Sequence, residues 1–290
     1  MTNRTQAREA QQQVVTSTSI ELEGGPVIVW QGGSGTAVLL IHGAWGGALM
    51  HWAPVWTRLA ERFRVVAPDL PDLADPAQHG PRTFGEYARW LERLLNAVGI
   101  QSAWVVGNSF GAAVAWQFAS QFPTRLLGLV LVNGGPAPNL PAPVRRLFAM
   151  APMRQLITAV FRWNAYSRST LKRAFADPGR APHQLVDTLT HPSPPQLERV
   201  REAVLGDGET YPRPQVPILL LWGEKDRLLG SNAAAARRLR RTLGEELQLT
   251  FIAEAGHMPQ VEHPEQFVRA LLRFIDHPPP AQVHSPRGTV

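Results

Sequence analysis

Ser109 stands at the centre of Gly107-Asn108-Ser109-Phe110-Gly111, directly after the apolar run Ala103-Trp104-Val105-Val106 and directly before the small-residue stretch Ala112 to Trp116. A serine hydroxyl is a weak nucleophile at neutral pH and needs a nearby base that titrates close to the working pH, a role histidine fills. A serine held at a sharp strand-to-helix turn takes a left-handed backbone. Glycines two places before and after it remove the β-carbons that would collide there. The same turn aims the N-terminus of the following helix at the hydroxyl, so the backbone N–H of Phe110 can stabilise a developing oxyanion. A Gly-x-Ser-x-Gly pentad alone also suits any tight turn without chemistry, so its neighbours matter.

Three further segments lie at compatible positions. Val38-Leu39-Leu40-Ile41 leads into the loop His42-Gly43-Ala44-Trp45-Gly46-Gly47. Ile218 to Trp222 leads into Gly223-Glu224-Lys225-Asp226, and Leu249 to Ile252 leads into Glu254-Ala255-Gly256-His257. A carboxylate is needed to hold the imidazole in one tautomer and to stabilise the imidazolium as it forms. Asp226 fits by position. Glu224 comes two residues earlier on the turn, and Asp69 follows the strand-like Val65-Val66-Ala67-Pro68.

The order Ser, Asp, His with these loops resembles the α/β-hydrolase superfamily, and within it a capped serine esterase-like member, over roughly residues 20 to 276. The resemblance implies a catalytic set of Ser109, Asp226 and His257. It also implies a second oxyanion donor at Ala44 N–H, or at Trp45 if the loop is shifted by one. It makes His42 an organiser of that loop and Asp69 an acidic residue of loop structure. The elbow Gly-Asn-Ser-Phe-Gly is similar to that of hydrolases that cleave carbon–carbon bonds in ring-cleavage products. Those enzymes usually show Ser-Gly-Pro-Gly after the His-Gly pair and Trp after the histidine, where this chain has Ala44-Trp45-Gly46-Gly47 and Met258.

The elements that must position these residues are readable as a period. Ile20 to Glu23 and Val27 to Trp30 read as an opening hairpin. Strand-sized apolar runs recur at 37–41, 64–67, 103–106, 126–132, 218–222 and 247–252. Most are continuous, as for parallel strands covered on both faces. Helical spacing falls between them; Thr83-x-x-Glu86 predicts a capping box ahead of Tyr87, Trp90, Leu91, Leu94 and Leu95. The expectation is an α/β fold, a mostly parallel doubly wound sheet with an inserted, mainly helical cap.

The bounds expected are a disordered tail over 1–19, a core over 20–135, a proline-punctuated cap over 136–214, a second core part over 215–276 and a disordered tail over 277–290. A first cap helix is expected over Val144 to Trp163. The resemblance implies that the cap roofs the site, with Trp45, Phe148, Met153, Phe161 and Met258 as the expected pocket.

Composition narrows the function classes. The chain has 290 residues, 44% hydrophobic, and a net charge of +6. Its lack of cysteine excludes a thiolate nucleophile and any disulfide. The nine histidines show no metal-ligand spacing, so neither metal nor cofactor is expected. The charge excess lies in 136–214 without aromatic interleaving, which argues for a solvated basic face and against nucleic acid. Met1 to Gln13 is polar, and no apolar stretch reaches the roughly 18 residues of a membrane span. A cytoplasmic enzyme without integral membrane association is therefore expected, acting on a small-molecule ester. The activity expected is hydrolysis of small to medium hydrophobic carboxylic esters through an acyl-serine. The alternatives are carbon–carbon bond hydrolysis, cofactor-free perhydrolysis and a ligand receptor in which catalysis is incidental.

Overall fold

The computed structural model describes residues 15–73, 80–137, 140–206 and 212–280. Eight strands form one sheet in the order β1-β2-β4-β3-β5-β6-β7-β8. These are β1 (Thr16–Leu22), β2 (Gly25–Gly32), β3 (Ala37–Ile41), β4 (Arg64–Pro68), β5 (Ala103–Asn108), β6 (Leu126–Val132), β7 (Ile218–Gly223) and β8 (Gln248–Ile252). β1 and β2 are antiparallel, β2 meets β4 antiparallel, and every pairing from β4 to β8 is parallel.

The continuous apolar runs are explained by where alternate side chains go. Val38 and Leu40 of β3 join one core layer, with Val106, Val130, Leu219 and Leu221. Leu39 and Ile41 join the other, with Val105, Leu129, Leu131 and Leu220. The first layer is covered by α1 (Ala48–Ala60) and by α11 (Pro264–Asp276), whose Phe267, Leu271 and Phe274 are buried. The second is covered by α2 (Phe84–Ala97) and α3 (Phe110–Gln121).

The cap of α2 is made by one half of the expected box. Thr83 Oγ1 accepts from Glu86 N–H at 3.2 Å, but the Glu86 carboxylate reaches Arg82 N–H, one residue further back, at 2.6 Å.

Between β6 and β7 run α4 (Ala142–Ala149), α5 (Ala151–Ala165), α6 (Arg168–Ala174), α7 (His183–Thr190) and α8 (Pro194–Leu205). The single helix expected over Val144 to Trp163 is two. Met150 leaves the helical region at ψ 137, and Pro152 opens the next helix. Proline offers no N–H to continue the first helix and suits the first turn of the second. The hairpin also starts earlier than expected, because Thr16 to Ser19 pair with Gln31 to Ile28; the tail expected over 1–19 therefore cannot extend past Val15. Residues 1–14 and 281–290 lie outside the described residues. After β7 come α9 (Ala233–Leu243) and, after β8, the short α10 (Pro259–Glu262).

Candidate active site

The loops at the ends of β3, β5, β7 and β8 meet on one side of the sheet. At the end of β5, Ser109 has φ 55 and ψ −112, a conformation that a residue with a β-carbon rarely takes. Both flanking glycines are required by contact. A β-carbon on Gly107 would strike the Gly111 backbone, and one on Gly111 would strike the carbonyls of Ile41 and His42. Backbone strain of this kind costs about 1–3 kcal/mol and persists only where its surroundings impose it. Here Ser109 N–H donates to Val132 O at 2.9 Å, and Asn108 Nδ2 donates to Val132 O and to His257 O, both at 3.1 Å. Phe110 opens α3, where backbone N–H groups of the first turn have no helical acceptor behind them.

Asp226 and His257 are both buried, and His257 Nδ1 donates to Asp226 Oδ2 at 2.7 Å. The carboxylate is fully engaged: Asn133 Nδ2 donates to Oδ2 at 2.6 Å and Leu228 N–H to Oδ1 at 2.9 Å. Asn133 in turn takes Gly223 N–H on its own Oδ1 at 2.9 Å, so the ends of β6 and β7 are tied through the acid. The other imidazole nitrogen, Nε2, is buried without a hydrogen-bond partner among the described residues, and both His257 and Ser109 line the same cavity. The two rival acids are elsewhere. Asp69 Oδ1 accepts from Ala48 N–H at the start of α1, and Glu224 is exposed on the turn.

The loop after β3 is held by groups on several elements. Leu70 N–H donates to His42 Nε2 at 2.8 Å, so Nδ1 carries the ring proton and donates to Gly43 O at 2.7 Å. Because the Gly43–Ala44 peptide is planar and trans, pinning that carbonyl turns Ala44 N–H the opposite way. His51 Nε2 donates to Trp45 O at 2.8 Å and Nδ1 accepts Gly43 N–H at 3.4 Å. The segment between β6 and β7 adds two more bonds to the same loop: Tyr166 Oη and Gln196 Nε2 both donate to Ala44 O, at 3.1 and 3.0 Å. The histidine loop is fixed in a similar way. The buried Glu262 carboxylate accepts Gly256 N–H at 2.6 Å, Ala176 N–H at 2.8 Å and Asp177 N–H at 3.2 Å.

A cavity of about 210 Å³ opens on Ser109. Trp45 and Phe161 line it, together with Phe84, Val200, Val204 and Leu228. Phe148 and Met153 are not among its lining residues: Phe148 is on α4, and Met153 lies two turns before Phe161 on α5, about 12 Å along the helix. Met258 is fully buried and packs in a cluster with Trp45, Tyr166 and Leu228. The Trp45 ring lies 5.7 Å from the His257 ring, closing one side.

A family model described as the alpha/beta hydrolase family matches residues 38–270. The chain belongs to the alpha/beta hydrolase family. It is 30% identical to an uncharacterized protein of Mycobacterium tuberculosis over 279 residues, covering 86% of this chain and 78% of that one. It is 27% identical to 2-hydroxy-6-oxo-2,4-heptadienoate hydrolase of Pseudomonas putida, over 84% of this chain and 90% of that one. Among solved structures, a thermophilic esterase from Thermogutta terrifontis superimposes with a TM-score of 0.64 at 24% identity, covering 90% of this chain and 98% of that one. The mostly parallel sheet with helices on both faces is that of this hydrolase family.

In this alpha/beta hydrolase the residues that sequence reasoning missed are His51, Asn133, Tyr166, Gln196 and Glu262. Asn133, Tyr166 and Gln196 act on loops far from them in the chain, whereas His51 reaches Trp45 and Gly43 within eight residues and Glu262 ties its own loop at Gly256 to Ala176 and Asp177. His51 and His42 have a measurable signature. Burial pushes His42 down to about 4 and His51 down to about 3, with His42 adding to the shift of His51. Both are neutral in the fold, whereas in the unfolded chain they take up protons below about pH 6.5. Stability is therefore full above that pH and is lost as pH falls toward about 4, at about 1.4 kcal/mol per histidine per pH unit. Urea unfolding across this window should show His51→Gln with a clearly shallower loss than wild type. An unchanged slope in both His42→Gln and His51→Gln would show that these rings titrate normally.

Proposed function

We propose that this protein is a serine hydrolase of small to medium neutral carboxylic esters, with Ser109 as nucleophile, His257 as base and Asp226 as its orienting acid. Ser109 Oγ attacks the ester carbonyl carbon while His257 Nε2 takes the hydroxyl proton. The oxyanion forms between Phe110 N–H and Ala44 N–H, each donor worth about 3–4 kcal/mol in such sites. Collapse breaks the bond to the alkoxy oxygen, which leaves as the alcohol with the proton from His257. Water, deprotonated by the same nitrogen, then attacks the acyl-serine and releases the acid. The helices α4 to α8 are the cap of this site, and their Phe161, Val200 and Val204 are the apolar wall against which the acyl group packs.

The observation that carries the reading for esters is the chemistry of the cavity wall. Among the described residues that line it there is no Lys, Arg, Asp or Glu. A dienoate of the kind named for the Pseudomonas putida relative brings a carboxylate, and a carboxylate moved from water to an apolar wall without a cation is strongly disfavoured. That relative nonetheless makes carbon–carbon bond hydrolysis the rival to test. p-Nitrophenyl esters of rising chain length, run beside a ring-cleavage dienoate, separate the two. The expected result is a kcat/KM for a short neutral ester at least about 100-fold above that for the dienoate, the scale of an unpaired buried charge. A dienoate cleaved faster than every ester would replace this reading with the rival.

A further inference from the structure

The two sides of α5 differ in what covers them. Ile157 and Phe161 are half-buried, and Phe161 reaches the cavity above Ser109. Leu156, Val160 and Trp163 recur at helical spacing on a different face, about a third of a turn away, and are 56%, 52% and 72% exposed. Just ahead of them in the chain, Leu147 and Met150 are exposed as well. A tryptophan and four other large apolar side chains left in water on neighbouring turns mark a surface that something else covers.

The charges around this stripe indicate its partner. From Arg93 to Ala176 the sequence contains no Asp or Glu. Arg146 of α4 and Arg168 and Lys172 of α6 are exposed, and among the described residues none of them has an acidic partner; Arg154 and Arg162 lie on the other side of α5 from the stripe, in a groove shared with Glu198 and Arg201 of α8. A second copy is a poor fit, because a two-fold interface sets a patch against itself and would bring these cations face to face. Anionic phospholipid headgroups supply the missing counter-charge, and the boundary between headgroups and acyl chains accepts the apolar stripe, with tryptophan suited to that depth. We propose that the outer face of α4, α5 and α6 is a docking surface for an anionic phospholipid bilayer. The helices lie in the interface: among the described residues, no helix is long and apolar enough to cross a membrane. The docked face of α5 is not the one that carries Phe161 to the cavity, so the stripe and the cavity wall are separate surfaces of one helix. None of this depends on the chemistry assigned to Ser109.

Co-sedimentation of the full chain with vesicles tests it. Binding is expected to vesicles of phosphatidylcholine mixed with phosphatidylglycerol, with little to phosphatidylcholine alone. Salt should weaken it, since such attraction is screened over about 10 Å at 0.1 M. A variant carrying Arg146→Gln, Arg168→Gln and Lys172→Gln should bind the anionic vesicles on the order of 100-fold more weakly. A variant carrying Leu156→Ser, Val160→Ser and Trp163→Ser should lose comparable affinity at low salt. All these side chains are exposed, and unchanged circular dichroism melts would show that both variants keep the fold. Wild type without preference for anionic vesicles, or both variants binding as wild type does, would overturn the proposal. So would self-association without vesicle binding, abolished by Trp163→Ser in sedimentation equilibrium, which would make the stripe a contact between copies.

Discussion

Ser109→Ala is expected to lower kcat for ester hydrolysis by on the order of a millionfold while leaving the fold intact. The alanine keeps the β-carbon, so the strained backbone at φ 55 and its surroundings are undisturbed and only the attacking oxygen is gone. What remains is the rate enhancement of the oxyanion donors and of binding, acting on water. A companion variant separates the chemistry from the strain. Ser109→Gly removes the same oxygen and also the β-carbon that makes the left-handed conformation costly. It is expected to unfold at higher urea than Ser109→Ala, by about 1 kcal/mol. An organophosphate should add to wild type once, with peptide mapping placing the adduct on Ser109. Full activity in Ser109→Ala, or an adduct elsewhere, would remove Ser109 from the proposed mechanism.

The second large effect concerns the acid. Asp226→Asn is expected to lower kcat by roughly 10⁴-fold with little change in volume or packing. The reason lies in the hydrogen-bond count. Asp226 accepts from three donors, Asn133 Nδ2, Leu228 N–H and His257 Nδ1, and among the described residues no acceptor faces it. An amide must set its NH₂ group against one or two of those donors. If it faces His257, the ring keeps its proton on Nε2, where it can no longer take one from serine. Equal losses in Glu224→Gln or Asp69→Asn, with Asp226→Asn active, would move the acid to another position. Asp69→Asn is expected to cost stability at the start of α1 and little kcat, since its carboxylate serves Ala48 N–H.

Both expectations rest on residues whose places the sequence marked without tertiary information, and the reason is local. A serine forced left-handed by its turn needs its flanking glycines within two residues. A catalytic loop in a parallel sheet must follow the carboxyl end of a strand, and each such strand is a short continuous apolar run. Those are short-range patterns, so Gly107 to Gly111, His42 to Gly47, Asp226 and His257 could be found along the chain, as could the strands that carry them and the membership that the family model shows.

What tertiary structure decided is whatever depends on contacts between distant segments. Asn133 acts across 93 residues on Asp226, Asn108 across 149 on the His257 carbonyl, and Gln196 across 152 on Ala44. An isolated asparagine or glutamine carries no periodic signal, so only the meeting of strand ends reveals such roles. The cavity wall was likewise undetermined. Phe148 and Met153 have the chemistry of a lining, but only the far end of α5, at Phe161 and Ala165, meets the cavity, while the ordinary-looking Val200 and Val204 of α8 complete the wall. Thr16 to Ser19 are polar and exposed, and pair as a strand only because β2 offers them a free edge. Apolar period and turn chemistry are properties of a dozen neighbouring residues; which face of a helix meets a cavity, and which amide reaches a carboxylate, is set by how the layers pack.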